Sequence, residues 1–556
     1  MMARCIRNFC FLVILPILGL AQGSLLLVGG GCEDDNSWSD EPYGWFVQQA
    51  DSGKIINIDT SPTADFYPAY FTRLGADASS KMMQISSLSA AEDSATYKQL
   101  ISAQGILIEG GDQWDYIDTW KNTLVEDALH YVFEQGGAIG GTSAGLAVLG
   151  EVVFDAKFGT VYANEAAYNP YDYHIHFTDD FLNILPNVLT DSHFHSRGRL
   201  GHLVPMLACR IQDNADTELI GIGVADKTAL CIDRQNQATA YGEGSVTILS
   251  PTEESNIRCQ GNKPVRYKHI QFDKLIHGAV YDLNQRQLID PGPYMAAVGS
   301  STSGDYPVFR DTTFSGGHTS SGQLGKKEIG NVTSGALNAW YGHLSISDGL
   351  NRIPETIIIP RLYSDYDYYE NRFVGGMWGL TEYPKATTVY ADEGVNLTQN
   401  SAGILSTDKM MYVLHCTDES FAGINGTRNT NYCGLTNGVL HFFAEGDVFD
   451  LVNRVTFISG VKRQSGSLPE SFRLAGNFPN PFNARTEISH YLKHNAMVTL
   501  SFYSITGKQI DVLQAGRQEA GYHSISWNAQ HLPSGVYFYQ VSNGRQAVTG
   551  KCVLMR

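Results

Sequence analysis

Ser143 lies in Gly140-Gly141-Thr142-Ser143-Ala144-Gly145, a run in which one hydroxyl is framed by glycines. The apolar residues before it read as a short strand, and Leu146-Ala147-Val148-Leu149 reads as a helix start. A strand-to-helix turn stripped of bulky flanks projects its serine at the carboxyl edge of a sheet, as a nucleophile requires. The helix start behind it brings partial positive charge, and the Ala144 N–H is placed to donate to a developing oxyanion. A serine hydroxyl is a weak nucleophile, so it needs a base within hydrogen-bond reach and an acid that orients the base. Two segments supply candidates. Asp191-Ser192-His193-Phe194-His195-Ser196-Arg197-Gly198-Arg199 is polar, histidine-bearing and doubly cationic. Gly221-Ile222-Gly223-Val224-Ala225-Asp226-Lys227 puts a carboxylate where a strand meets a turn.

The elements that must position these groups alternate short apolar runs with amphipathic stretches over about residues 24–250, the pattern of an α/β fold with a parallel sheet. Leu25-Leu26-Leu27-Val28 enters Gly29-Gly30-Gly31, and Gly105-Ile106-Leu107-Ile108 leads to Gly110-Gly111-Asp112-Gln113. Residues 54–58 read as another buried strand and 118–135 as one helix. Such sheets bind ligands at the carboxyl ends of their strands. Residues 291–460 are rich in Tyr, Gly, Ser and Asn and read as a β-rich region. Two internal echoes, 274–286 with 443–454 and 54–59 with 356–360, raise the expectation of a degenerate second copy of the first lobe, against an unrelated insertion. Residues 461–473 read as a polar linker, and 474–556 as short strands of a small β-sandwich.

A net charge of −18 and a charged fraction of 17% leave no basic stripe for phosphates, so nucleic acid is not an expected partner. Arg4 and Arg7 precede an apolar run at 9–20 and Gly19-Leu20-Ala21, which together read as a signal peptide of residues 1–21. No later segment has the length and apolarity of a membrane span, and the mature chain is expected outside the cytoplasm. Setting aside Cys5, Cys10 and Cys552 leaves Cys32, Cys209, Cys231, Cys259, Cys416 and Cys433. This even set is compatible either with disulfides, Cys416 with Cys433 being favoured, or with buried free thiols.

Gly110-Gly111-Asp112-Gln113, Gly141-Thr142-Ser143-Ala144-Gly145, Asp191-Ser192-His193-Phe194 with Arg197 and Arg199, and Gly221-Ile222-Gly223 before Asp226 together resemble the cyanophycinase and peptidase E family of serine peptidases. The resemblance covers about residues 24–288, within a domain placed at 22–290. It implies a flavodoxin-like sheet of the glutamine-amidotransferase type and hydrolysis of aspartyl peptide bonds by acyl transfer, with no metal or cofactor. In that scheme Ser143 attacks, His193 is the base and Asp226 the third member. The Gly111 and Ala144 N–H groups form the oxyanion hole. Gln113, Arg197 and Arg199 hold a substrate carboxylate, with Thr142 and Asp191 also at the substrate. Assigning His193 to catalysis argues against a metal at His174-Ile175-His176 and His193-Phe194-His195, although alternate residues there share a strand face. Three positions depart from the cyanophycinase pattern: Ser192 replaces Gln, His202 replaces a third Arg, and Ala225-Asp226 replaces Asp-Glu. An α/β-hydrolase esterase shares Gly-x-Ser-x-Gly, but its triad runs Ser, acid, His; an inactive cell-surface binding protein is the other alternative.

Asn480-Pro481-Phe482-Asn483, Gly507-Lys508, Gly521-Tyr522-His523, Leu532-Pro533-Ser534-Gly535-Val536-Tyr537 and Lys551 resemble the C-terminal sorting domain of the Por, or type IX, secretion system. That resemblance implies export across the periplasm and outer membrane of a Gram-negative bacterium, with the secretion machinery as partner.

Overall fold

The computed structural model describes residues 23–61, 66–298, 312–315, 319–324, 327–330, 345–363, 371–400, 403–427, 430–458 and 472–555, the last apart from 479–481, 493–494, 506, 519–520 and 545–546. The expected leader at 1–21, most of the 461–473 linker, Asn480-Pro481 and the tyrosines at 366–369 lie outside the described residues. The chain forms two compact units, residues 1–456 and 457–556.

Five strands build the parallel heart of the first unit: β1 (Ser24–Val28), β2 (Ile55–Asp59), β3 (Lys81–Gln84), β4 (Gly105–Ile108) and β5 (Ala138–Thr142). Their order is 3-2-4-5-1, all parallel. Four of the five places follow the flavodoxin order 2-1-3-4, and the N-terminal strand fills the fifth. Alternate β1 residues divide between two cores. Leu25 and Leu27 pack with Ile56, Ile58 and Ile106, whereas Leu26 and Val28 join Tyr43, Phe46 and Leu107. Burial on both faces is why these strands read as continuous apolar runs rather than alternations. The single helix expected at 118–135 is two, Gln113–Trp120 and Leu124–Glu134. Asn122, at φ 59°, breaks the first, and Thr123 caps the second by accepting from the Val125 N–H.

Ten further strands complete the first lobe: β6 (Gly150–Phe154), β7 (Phe177–Thr178), β8 (Leu185–Asp191), β9 (Ile220–Val224), β10 (Thr228–Ile232), β11 (Gln237–Gly242), β12 (Ser245–Arg258), β13 (Arg266–Ile276), β14 (Val280–Asp282) and β15 (Gln287–Asp290). Strands β10, β11, β14 and β15 extend the parallel sheet from β1 in antiparallel fashion. The others enter a 13-stranded sheet that runs without interruption into the middle region.

That sheet has one sequence of pairings in both directions from its centre, where β13 lies antiparallel to Thr430–Phe443. On the first side come β12 antiparallel, β9 antiparallel, β8 and β6 parallel, and β7 antiparallel. Opposite stand Met411–Thr427 antiparallel, Thr387–Ala391 antiparallel, Thr356–Ile359 and Lys327–Gly330 parallel, and Ser345–Asp348 antiparallel. Each side has one long helix between its equivalent parallel strands, Leu200–Asn214 or Asn371–Glu382. A separate sheet pairs Thr312–Ser315 with Asn396–Gln399, then Ile404–Thr407, then Asp447–Asp450, in the manner of β1, β10, β11 and β14.

Local geometry repeats as well. Gly278 and Gly446 have φ 85° and 83°, and Arg286 and Arg454 have φ 54° and 53°. Asp282 accepts from the N–H groups of Asn284 and Gln285, as Asp450 does from Val452 and Asn453. The 274–286 and 443–454 echo therefore falls on equivalent turns. The other echo does not: Thr356–Ile359 occupies the place of β8, not of β2, because a short apolar strand carries no mark of its neighbours.

The second unit has sheets of three and four strands whose facing residues, among them Ile488, Trp527, Leu500, Phe502 and Tyr539, share one core. Among the described residues, no helix is long and apolar enough to cross a membrane.

Candidate active site

The carboxyl ends of β1 and β5 and the loops after β8 and β9 meet at Ser143. Its backbone has φ 54° and ψ −113°, a conformation L-residues seldom adopt and one that projects the side chain out of the turn. The flanking glycines are obligatory for close approach. A Cβ on Gly141 would lie 2.2 Å from the Gly145 carbonyl oxygen, and one on Gly145 would lie 2.2 Å from that of Ile108. The Ser143 N–H donates to the Val28 carbonyl at 2.9 Å, tying the elbow to β1. The helix behind it is one turn, Ala144–Ala147, before the chain enters β6. A single turn presents local N–H groups rather than an extended helix dipole.

Ser143, His193 and Asp226 meet in one relay. Ser143 Oγ and His193 Nε2 are 2.7 Å apart, and His193 Nδ1 and Asp226 Oδ1 are 2.5 Å apart. With its proton on Nδ1 donated to Asp226, the imidazole accepts from the serine hydroxyl at Nε2. Burial alone would raise the Asp226 carboxyl, but the hydrogen bond and charge of His193 outweigh it and hold the group below its ordinary value.

Gly29-Gly30-Gly31, which the sequence marks only as a strand end, organises this relay. The His193 N–H donates to the Gly29 carbonyl and the Lys227 N–H to the Gly30 carbonyl, each at 2.7 Å. A Cβ on Gly30 would sit 2.2 Å from the His193 ring. Three consecutive glycines directly after an apolar run were the available signal. Glu33, just beyond, is a second residue that sequence reasoning passed over. Burial raises its carboxyl, although Tyr43, Tyr67 and Thr142 hydrogen-bond to it.

The remaining expected residues divide. The Gly110-Gly111 turn packs on Ser143, a Cβ on Gly110 lying 3.3 Å from Ser143 Cβ. Gln113 Nε2 donates to the Phe154 carbonyl at 3.3 Å, and Thr142 is buried beneath the elbow. Arg197 is exposed on the turn that carries His193, its N–H donating to the His193 carbonyl. Asp191 and Arg199 turn to each other: Arg199 Nη1 donates to Asp191 Oδ1 at 3.0 Å, and His202 Nδ1 to Asp191 Oδ2 at 2.7 Å. Burial would raise the Asp191 carboxyl, but the charges of Arg199 and His202 reverse this and lower it. This buried cluster braces the loop after β8.

His195 does not share the site. It is buried against Ser245 Oγ at 3.2 Å and the Lys274 ammonium, and burial followed by Lys274 pushes it well below the ordinary histidine range. His174 and His176 turn to Asp172 and Asp155 instead. No group of metal-binding residues is found among the described residues.

Comparison with known proteins addresses both ends of the chain. Residues 25–239 match the family described as Peptidase family S51. This chain carries a family S51 peptidase domain. Residues 477–555 match the Secretion system C-terminal sorting domain, which addresses a chain to the cell surface or exterior. A cyanophycinase of Trichormus variabilis is 26% identical over 281 residues, covering 48% of this chain and 89% of the relative. One from Thermosynechococcus vestitus is 29% identical over 202 residues, 36% of this chain and 58% of the relative. Among solved structures, a peptidase from an acI-B1 Actinobacterium is similar at 20% identity and TM-score 0.33, covering 48% of this chain and 98% of that one. A putative peptidase E protein from Listeria monocytogenes EGD-e is similar at 15% identity and TM-score 0.26, covering 40% and 98%. The S51 match ends within β11, so the middle region lies outside it.

Of the two readings left open for the cysteines, the favoured Cys416–Cys433 disulfide is not formed. In the hairpin of Met411–Thr427 and Thr430–Phe443, Cys416 lies opposite Gly438 and Cys433 opposite Ile424. Among the described residues, no two cysteines are joined by a disulfide in this structure.

Proposed function

We propose that residues 22–290 act as a secreted serine peptidase of cyanophycinase type that hydrolyses aspartyl peptide bonds, β-linked ones included, through an acyl-enzyme. The observation that carries this is the continuous relay from Ser143 Oγ through His193 to Asp226. Ser143 attacks the scissile carbonyl while His193 Nε2 takes its proton, and Asp226 holds the imidazole in the tautomer that can accept it. The N–H groups of Gly111 and Ala144 receive the oxyanion; losing one such donor typically costs about 3 to 4 kcal/mol of transition-state stabilisation. His193 then returns the proton to the leaving amine, and water repeats the sequence on the acyl-serine. Gln113 and exposed Arg197 hold the substrate's carboxylate with Thr142 beside them, while Asp191 and Arg199 shape the loop that presents Arg197.

The middle region, 291–460, is read as a second copy of the first lobe. The mirrored order of strands supports this, and the block from β2 to β5, with its serine, has no counterpart in the described pairings. Residues 474–556 are read as an immunoglobulin-like sandwich that directs export by the type IX route through the periplasm, after removal of a signal peptide at 1–21.

The deciding experiment incubates the purified protein with a fluorophosphonate probe and with a library of α- and β-linked aspartyl peptides. The reading expects a Ser143 adduct and cleavage after aspartate, both lost in Ser143→Ala. Labelling with turnover of nitrophenyl esters alone would indicate an esterase, and no labelling would indicate a binding protein.

A further inference from the structure

Cys209 lies in the helix Leu200–Asn214, and Cys259 directly follows β12. Gln212, three residues beyond Cys209 and on the same helix face, clamps Cys259 by both backbone groups. The Cys259 N–H donates to Gln212 Oε1 at 2.8 Å, and Gln212 Nε2 donates to the Cys259 carbonyl at 3.2 Å. Tyr171 closes one side, accepting from Gln212 at 3.3 Å and donating to Asp213 at 2.7 Å. Cys209 and Cys259, 3% and 8% exposed, thus sit buried on the two elements that Gln212 joins, and Cys209 donates to the Pro170 carbonyl at 3.5 Å.

No comparable arrangement serves the favoured pair from sequence, since Cys416 and Cys433 stand out of register. Cys32 is exposed after the glycine loop, and Cys231 is buried within β10.

We propose that Cys209 and Cys259 form a structural disulfide in the exported protein. The proposal rests on the export reading, because such bonds persist only outside a reducing cytoplasm. Both S–H bonds break and one S–S bond forms. The two electrons and two protons pass to the disulfide of a thiol oxidoreductase, which leaves as a dithiol. The bond closes a loop of about 50 residues, and it pins the helix that follows the His193 turn to the end of β12. Only thiolates attack disulfides, and in the folded site hydrogen bonding and burial push the Cys259 thiol above its ordinary range.

The test denatures exported protein in N-ethylmaleimide without reductant and maps its peptides. A cross-linked peptide joining Cys209 to Cys259, with neither residue alkylated, is expected; alkylation of both in most molecules overturns the proposal. A second arm refolds reduced, cytoplasmically produced chain in a glutathione redox buffer. The same link is expected there, and its absence likewise overturns the pairing. Failure to find the chain outside the cytoplasm would count against export alone, because the refolding arm does not depend on it. Unfolding followed by fluorescence is expected to speed up several-fold on reduction. The Cys209→Ser, Cys259→Ser double variant should unfold at one rate with or without reductant; acceleration by reductant in that variant would place the effect at another cysteine.

Discussion

In the proposed relay Asp226 acts on the serine only through His193, so its removal separates orientation from nucleophilicity. Asp226→Asn keeps the shape but favours the tautomer with Nδ1 unprotonated, and kcat for an aspartyl peptide is expected to fall about 10⁴-fold with KM little changed. Unfolding curves check that the variant stays folded. Gly30→Ala tests position alone, since its methyl would meet the His193 ring at 2.2 Å where φ is already +108°. A displacement of about 1 Å at the base is expected to reduce kcat about 100-fold, although no reacting group changes. That Ser143, His193 and Asp226 would come together was legible in the sequence, because each stands in a short stretch whose type and order survive without coordinates. The glycine loop's role was not. Its glycines are required by contacts with residues more than 150 positions away, and nothing local encodes those partners.

The elements around the site hold charges the core can bury only in combination. Asp191→Asn would leave the Arg199 guanidinium beside a neutral amide at a largely buried position, and a loss of about 3 to 5 kcal/mol in urea unfolding is expected. Further along the large sheet, β13, Met411–Thr427 and Thr430–Phe443 bring His269, His415 and His441 together, with ring centroids 4.7 and 5.6 Å apart. Glu254, Lys268 and Arg454 also bear on this cluster. Burial, assisted by Arg454, pushes His415 down to about 3, and burial also lowers His269 and His441. The folded state therefore binds fewer protons than the unfolded one between those depressed values and about 6.5. The stability these histidines confer is complete above about pH 6.5 and is lost as pH falls toward about 3. Asp191, also depressed, adds a loss at the acid end of that range. Urea titrations at stepped pH check this, and a flat profile between pH 7 and 4 would contradict it. The runs of β1, β2, β4 and β5 were readable because both of their faces are buried, whereas β3, at the sheet edge and only half-buried, was not. The middle region was readable as β-rich, but its order of strands was not, since they divide between two sheets and their pairing follows topology rather than periodicity.

At the scale of the whole chain, the boundary drawn at residue 290 divides sequence classes but not structure. The sheet crosses it, so cutting the chain back to residue 290 would bare the β13 edge along its pairing with Thr430–Phe443. That fragment is expected to aggregate, as judged by light scattering, whereas removing residues 474–556 is expected to leave the first unit folded with its peptidase activity intact. The continuous ladder also means that covalent continuity between the lobes is dispensable once they have folded. A single break between residues 298 and 312 severs none of the described pairings, and Met295–Ala297 stays docked on Phe421, Ala422 and Gly423. A chain folded whole and then nicked there should thus stay together as one unit, its two pieces held by the strand ladder alone.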